Sequence, residues 1–129
     1  MKGFTTIHAG SARQALTRLR FICQLAETSN ELPISALNTL VSESIDLVVH
    51  CGRSSHGPIV NEIVAVEDFA GRSDATQFTV TELFSRQSPD APLTWSGEVP
   101  VRAAKAFRLA GHDVAMLLAA APRHLGRVA

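Results

Sequence analysis

The stretch Gly3-Phe4-Thr5-Thr6-Ile7-His8-Ala9-Gly10-Ser11 decides how this chain is read. Thr5 to Ala9 predicts a short strand that ends on a histidine. Ser11 then opens a helix. It stands three residues before Gln14, the spacing of a capping box, in which each side chain satisfies a backbone N–H at the helix start. Ala12, Ala15, Leu16, Leu19, Ile22, Cys23 and Ala26 recur at three- and four-residue steps and predict one apolar stripe. Arg13, Thr17, Arg20, Gln24 and Glu27 fall mainly outside it, and the pattern stops at Thr28-Ser29-Asn30.

Further along, Pro33 suits the first turn of a second helix, where its missing N–H costs nothing. Ile34, Leu37, Leu40, Val41 and Ile45 carry the helical period onward. Leu47-Val48-Val49-His50-Cys51 reads as a compact, buried strand. Gly52 to Pro58 reads as a turn, Ile59 to Phe69 as a longer strand, and Gly71 to Asp74 as a second turn. Gln77 to Phe84 completes a three-strand meander, and Gln87 to Pro92 is a polar linker. A helical pair closes the chain. Its first member, Pro100 to Ala110, is stopped by Gly111, and its second is capped by Asp113 and ends before Pro122. Val114 to Ala121 is apolar on all sides and is expected to be covered by protein.

Composition limits the function classes. A chain of 129 residues, 46% hydrophobic, makes one globular domain rather than a disordered tail. Its 12 basic and 12 acidic side chains cancel, so no global field draws it to nucleic acid or an anionic membrane. No apolar run approaches the roughly 18 residues that span a bilayer. The start of the sequence has no secretory-signal pattern. Cys23 and Cys51 make neither a metal cluster nor a disulfide framework and are read as buried thiols, which points weakly to the cytoplasm. His50, Cys51 and His56 match no common zinc spacing. Arg13, Arg18 and Arg20 form a basic strip on the first helix, read as a solvated face, although Arg13 lies at the wrong end for the helix dipole and a phosphate or neighbouring subunit could favour it there.

The ordered series Thr5-Thr6-Ile7-His8-Ala9-Gly10-Ser11, Arg13, Ala15-Leu16, Arg18-Leu19, Leu32-Pro33, Ile45-Asp46-Leu47-Val48-Val49, Arg53 and Leu83-Phe84 resembles the histidine box and following segment of secretion-type motor ATPases. The nearest branch comprises the CpaF-type pilus motors and the type II–IV secretion traffic ATPases. The resemblance spans about two-thirds of the chain, from Gly3 to Phe84. It implies an α/β fold, the C-terminal part of a RecA-like P-loop ATPase domain, with an antiparallel meander and terminal helices. Residues 1–86 would be the partial ATPase segment and 87–129 a linker with a helical extension. His8 would sense the γ-phosphate with Thr6 beside it, and Thr5 and Arg13 would lie near the nucleotide. ATP and Mg2+ would serve the complete enzyme. The implied partners are a hexameric ring of like subunits or an N-terminal ATPase segment, and inner-membrane secretion platform proteins, with no direct nucleic acid. The implied location is cytoplasmic and peripheral to the inner membrane.

The pattern also departs from that family. The glycine-rich phosphate loop, the acidic pair for magnesium and the arginine fingers are absent, and Gly10 replaces the usual asparagine. The expectation is therefore a motor fragment that does not hydrolyse ATP alone. Its first strand would have unpaired edges. A catalytically inactive interaction module and a truncated gene product remain the alternatives.

Overall fold

The computed structural model describes residues 3–26, 32–68 and 77–120. The expected stop at Thr28-Ser29-Asn30, Phe69, the turn at Gly71 to Asp74 and the final helix end near Pro122 lie outside them. Two helices, α1 (Ala12–Ala26) and α2 (Ile34–Ser44), precede a meander of β1 (Leu47–Ser54), β2 (Gly57–Val66), β3 (Val80–Ser85) and β4 (Thr94–Trp95). Helices α3 (Val101–Leu109) and α4 (Val114–Ala120) follow. The four strands pair antiparallel in the order β1-β2-β3-β4, so the fold is α/β with one antiparallel sheet.

Helices α1 and α2 pack against one face of this sheet. Leu16 of α1, Val41 of α2, Val66 of β2 and Phe78 form the buried cluster, with Leu19, Ile45, Val48 and Val80 packed against it. Alternation along β1 follows the two-residue strand period: Val48 and His50 are half-buried, whereas Leu47, Val49 and Cys51 are exposed. The turn after β1 is tighter than expected. Strand pairing continues to Ser54 and Gly57, leaving Ser55 and His56 as the loop. The Ser54 hydroxyl accepts the His56 N–H at 3.1 Å, and Gly57 takes φ +118°, a region costly for other residues.

Several local signals are met. Ser11 Oγ accepts the Gln14 N–H at 3.1 Å, while Gln14 Oε1 reaches back to the Gly10 N–H instead of that of Ser11. Asp113 Oδ1 accepts the Ala115 N–H at 2.9 Å. Gly111, at φ +83°, closes α3 as the His112 N–H reaches the Phe107 carbonyl.

Other expectations are corrected. Residues 3–9 form no strand, because among the described residues no segment pairs with them and a strand is stable only in a ladder. The α1 stripe is buried only at Ala12, Ala15 and Leu16; Ile22 is 51% exposed and Ala26 is exposed. The apolar final helix buries Val114 alone, leaving Met116 and Leu117 in solvent. Cys51 is exposed and Cys23 half-buried, so neither is a fully buried thiol.

The segment after residue 86 is tied to the sheet. Trp95 pairs with Phe84 in β4, and Leu93 is buried. Glu67, 7% exposed, holds α3: one carboxylate oxygen accepts the Val101 N–H at 3.0 Å and the Thr81 hydroxyl at 2.7 Å, and the other accepts the Arg102 N–H at 2.8 Å. Arg102 in turn donates to the carbonyls of Ser42 and Ile45 at the end of α2, and to Asp46 at 3.3 Å. A carboxylate at one helix start and a guanidinium at another helix end each oppose the local dipole. Replacing Glu67 with Ala removes the acceptor of two α3 amides and is expected to cost about 1 kcal/mol, read from the urea midpoint. Glu67→Gln, which keeps one acceptor, should cost less.

Candidate functional site

A groove of about 1050 Å³ lies between residues 3–9, the apolar side of α1 and the outer side of β1. No β2 residue lines it, so it opens beside the β1 edge that carries no strand partner among the described residues. Thr5, Thr6 and His8 all line it and all are exposed. His8 is fixed through its backbone: its carbonyl accepts the Arg18 guanidinium at 2.7 Å. The imidazole itself makes no hydrogen bond among the described residues, so the ring is held at the groove with its nitrogens open.

Arg13 is elsewhere. Its guanidinium donates to the Phe78 carbonyl at 2.8 Å, which accounts for a cation in the first turn of α1. Arg20 bonds Asn38 Oδ1 at 3.1 Å and stacks over the Phe78 ring, 5.8 Å from its centre. Arg13 and Arg18 are exposed, as a solvated face requires, and Arg20 is half-buried, yet all three guanidinium groups also make contacts within the chain. Arg13 and Arg20 tie α1 to Phe78, Arg20 also to Asn38, and Arg18 ties it to His8.

Glu62 is the site residue that the sequence reading missed. It lies on β2 opposite His50, and its Oε1 accepts the Ala12 N–H at 2.6 Å. His50 Nδ1 stands 3.5 Å from the same oxygen. The carboxylate thus caps α1 from 50 residues away. The only sequence signal was a lone acid inside the apolar run Ile59 to Val66.

Several groups of the kind that grip phosphate have partners within the chain. The start of α1, the natural anion-binding end of a helix, is already filled by Glu62 and Ser11. Arg13 and Arg18 are spent on backbone carbonyls. Among the described residues the carboxylates lining the groove are those of Glu43 and Asp46, and Asp46 is paired with Arg102 at 3.3 Å. Among the described residues no group of three or more His, Cys, Asp or Glu side chains could hold a metal ion. No helix of the described residues is long and apolar enough to cross a membrane.

Compared with known proteins, the chain is 33% identical over 75 residues to the conjugal transfer protein TrbB of Rhizobium radiobacter, a match that covers 58% of this chain and 21% of that protein. It is 35% identical over 81 residues to the probable conjugal transfer protein TrbB of Sinorhizobium fredii (strain NBRC 101917 / NGR234), covering 62% of this chain and 23% of that one. The chain therefore spans less than a quarter of the length of these curated relatives. No protein-family model matches it, and no solved structure does. The relatives are named for conjugal transfer and not as CpaF-type motors, which corrects the resemblance drawn from the histidine segment. The likeness ties the chain coarsely to secretion machinery through conjugal transfer.

Glu62→Ala should free the Ala12 N–H and remove a negative charge from the positive end of α1. The expected loss is about 1 kcal/mol by denaturant titration. Unchanged stability would show that water caps α1 equally well.

Proposed function

We propose that the chain is a working segment of a conjugal-transfer apparatus of the type IV secretion class. In this reading it belongs to an ATP-hydrolysing motor and does not bind or hydrolyse ATP by itself. The observation that carries the proposal is the likeness, across some 60% of the chain, to two proteins named for conjugal transfer. The position of His8 supports it: the residue is exposed, its ring has no hydrogen-bond partner among the described residues, and Arg18 holds its carbonyl. An imidazole so placed is able to donate a ring N–H to a phosphate oxygen presented by another segment. Thr5 and Thr6 flank it on the same wall of the groove.

In this reading ATP and Mg2+ are held elsewhere in a RecA-like assembly. The partners are like subunits in a hexameric ring or an N-terminal ATPase segment, together with platform proteins on the cytoplasmic side of the inner membrane. Arg13 is a structural residue, since its guanidinium is committed to Phe78.

The test is a chimera. Residues 3–86 replace the matched segment of the Rhizobium radiobacter protein, and both mating frequency and ATP binding are measured. His8→Ala in the chimera is expected to lower mating about 100-fold, the scale of losing one phosphate-directed donor, while ATP affinity stays within about twofold. Normal mating with alanine at position 8 would contradict the proposal, as would parallel loss of mating and ATP binding. The isolated chain is expected to show no ATP binding by calorimetry.

A further inference from the structure

Helices α3 and α4 carry a surface whose charge differs from that of the rest of the chain. Residues 100–129 hold five of the 12 basic side chains and one of the 12 acidic ones, so residues 1–99 are net acidic. The one acid, Asp113, is committed to the start of α4, where its Oδ1 accepts the amides of Ala115 and Met116. Lys105, Arg108 and His112 are exposed, and their side chains have no hydrogen-bond or ion-pair partner among the described residues. The dipole of α3 favours Arg108 in its last turn, but Lys105 sits a turn earlier, where that field has faded. Two like charges three residues apart on one helix repel mildly, and an anion placed between them relieves the cost.

Apolar side chains accompany these cations. Val101, Lys105, Arg108 and Leu109 recur at the helical period and share one face of α3. Val101 is 75% exposed and Leu109 84%. Beside that face, α3 and α4 form a pocket of about 360 Å³ walled by Ala104, Arg108, His112, Val114 and Ala115. Arg108 therefore borders both the face and the pocket. Met116 and Leu117 add exposed apolar surface on α4.

These features select the occupant. Exposed apolar side chains among unpaired cations match a guest that is apolar on one side and carries carboxylates along its margins. An acidic amphipathic helix has that form, and laying its apolar face into a hydrophobic groove is a recurrent recognition mode. A pocket receives an inserted side chain, which a bilayer surface does not present. The net acidic remainder of the chain also opposes approach to an anionic bilayer.

We infer that α3 and α4 form a docking face for an acidic amphipathic helix of a partner protein: one apolar side chain of the guest fills the pocket, a second covers Leu109, and carboxylates pair with Lys105 and Arg108. This goes beyond the role proposed for His8 and uses neither a nucleotide nor the groove beside β1.

The test uses the whole chain, labelled with nitrogen-15, and the peptide acetyl-Glu-Glu-Leu-Ala-Glu-Leu-Leu-Glu-Glu-Leu-Ala-Glu-amide as probe. Binding is expected to shift the amides of Ala104 to Leu109 and of His112 to Ala115. A peptide with every glutamate changed to lysine is expected to bind at least about tenfold more weakly, because like charges then meet Lys105 and Arg108. Lys105→Glu in the chain is expected to weaken the acidic peptide about tenfold, and Leu109→Ser about fivefold, while both leave the unfolding midpoint unchanged, since each site is exposed. Shifts confined to other surfaces would overturn the inference, as would equal binding of the two peptides or no shift at about 1 mM acidic peptide. Co-sedimentation with vesicles of equal parts phosphatidylcholine and phosphatidylglycerol, lost in Lys105→Glu, would overturn it in favour of a lipid surface. A dimer in sedimentation that Lys105→Glu dissociates would overturn it in favour of a second copy.

Discussion

The open edge of β1 is the constraint on which the rest of the molecule depends. A strand satisfies its main chain only through neighbours, and among the described residues β1 has one strand neighbour, β2. Its hydrophobic side is served by the helices, through Val48 and the cluster of Leu16, Val41, Val66 and Phe78. Its hydrogen-bonding side is not served. The same shortage leaves residues 3–9 irregular even though their composition suits a strand. Because those residues do not close onto β1, the groove stays open, and His8 stands on one of its walls rather than inside a sheet.

Around that opening, long-range polar contacts hold the elements in place. Glu62 caps α1 from β2, and Glu67 caps α3 from the end of β2. Arg102 closes α2, and Arg13 and Arg18 fasten α1 to Phe78 and His8. Each contact places a charge against unpaired backbone groups, where charge-assisted hydrogen bonds are strongest. Their commitment has a functional side. Cations and helix amides that might have gripped phosphate are already occupied, and the charge left on the groove wall is acidic. The proposed role of His8 therefore requires the phosphate to be presented by another segment.

What the sequence disclosed was local. Ser11 and Gln14 marked the start of α1, Gly111 the end of α3 and Asp113 the start of α4, because each acts within a few residues of itself. The meander was legible from alternation and turn residues, although its first loop proved shorter than the run of Gly and Ser suggested. Contacts between distant residues were not legible. Nothing near Glu62 or Glu67 announces a helix start 50 or 34 residues away. The strand at Thr5 to Ala9 was misread for a related reason: composition reports a preference, whereas a ladder needs a partner. The apolar run of α4 and the second half of the α1 stripe were expected to be buried, yet the described chain provides nothing to cover them. His8 was singled out from its pattern, and the structure sets it exposed on the groove wall, where its proposed contact role would need it. The conjugal-transfer likeness, and not the pilus-motor resemblance, gives that role its setting.

Native-state amide exchange of the chain alone addresses the central claim most directly. An open slot predicts that amides of Thr5 to Ala9 exchange at nearly the rate of an unfolded peptide, while those of β2, paired on both sides, exchange only through global unfolding. Strong protection of Thr5 to Ala9, comparable to that of β2, would mean that this segment already lies in a ladder, and the open groove would not exist in solution.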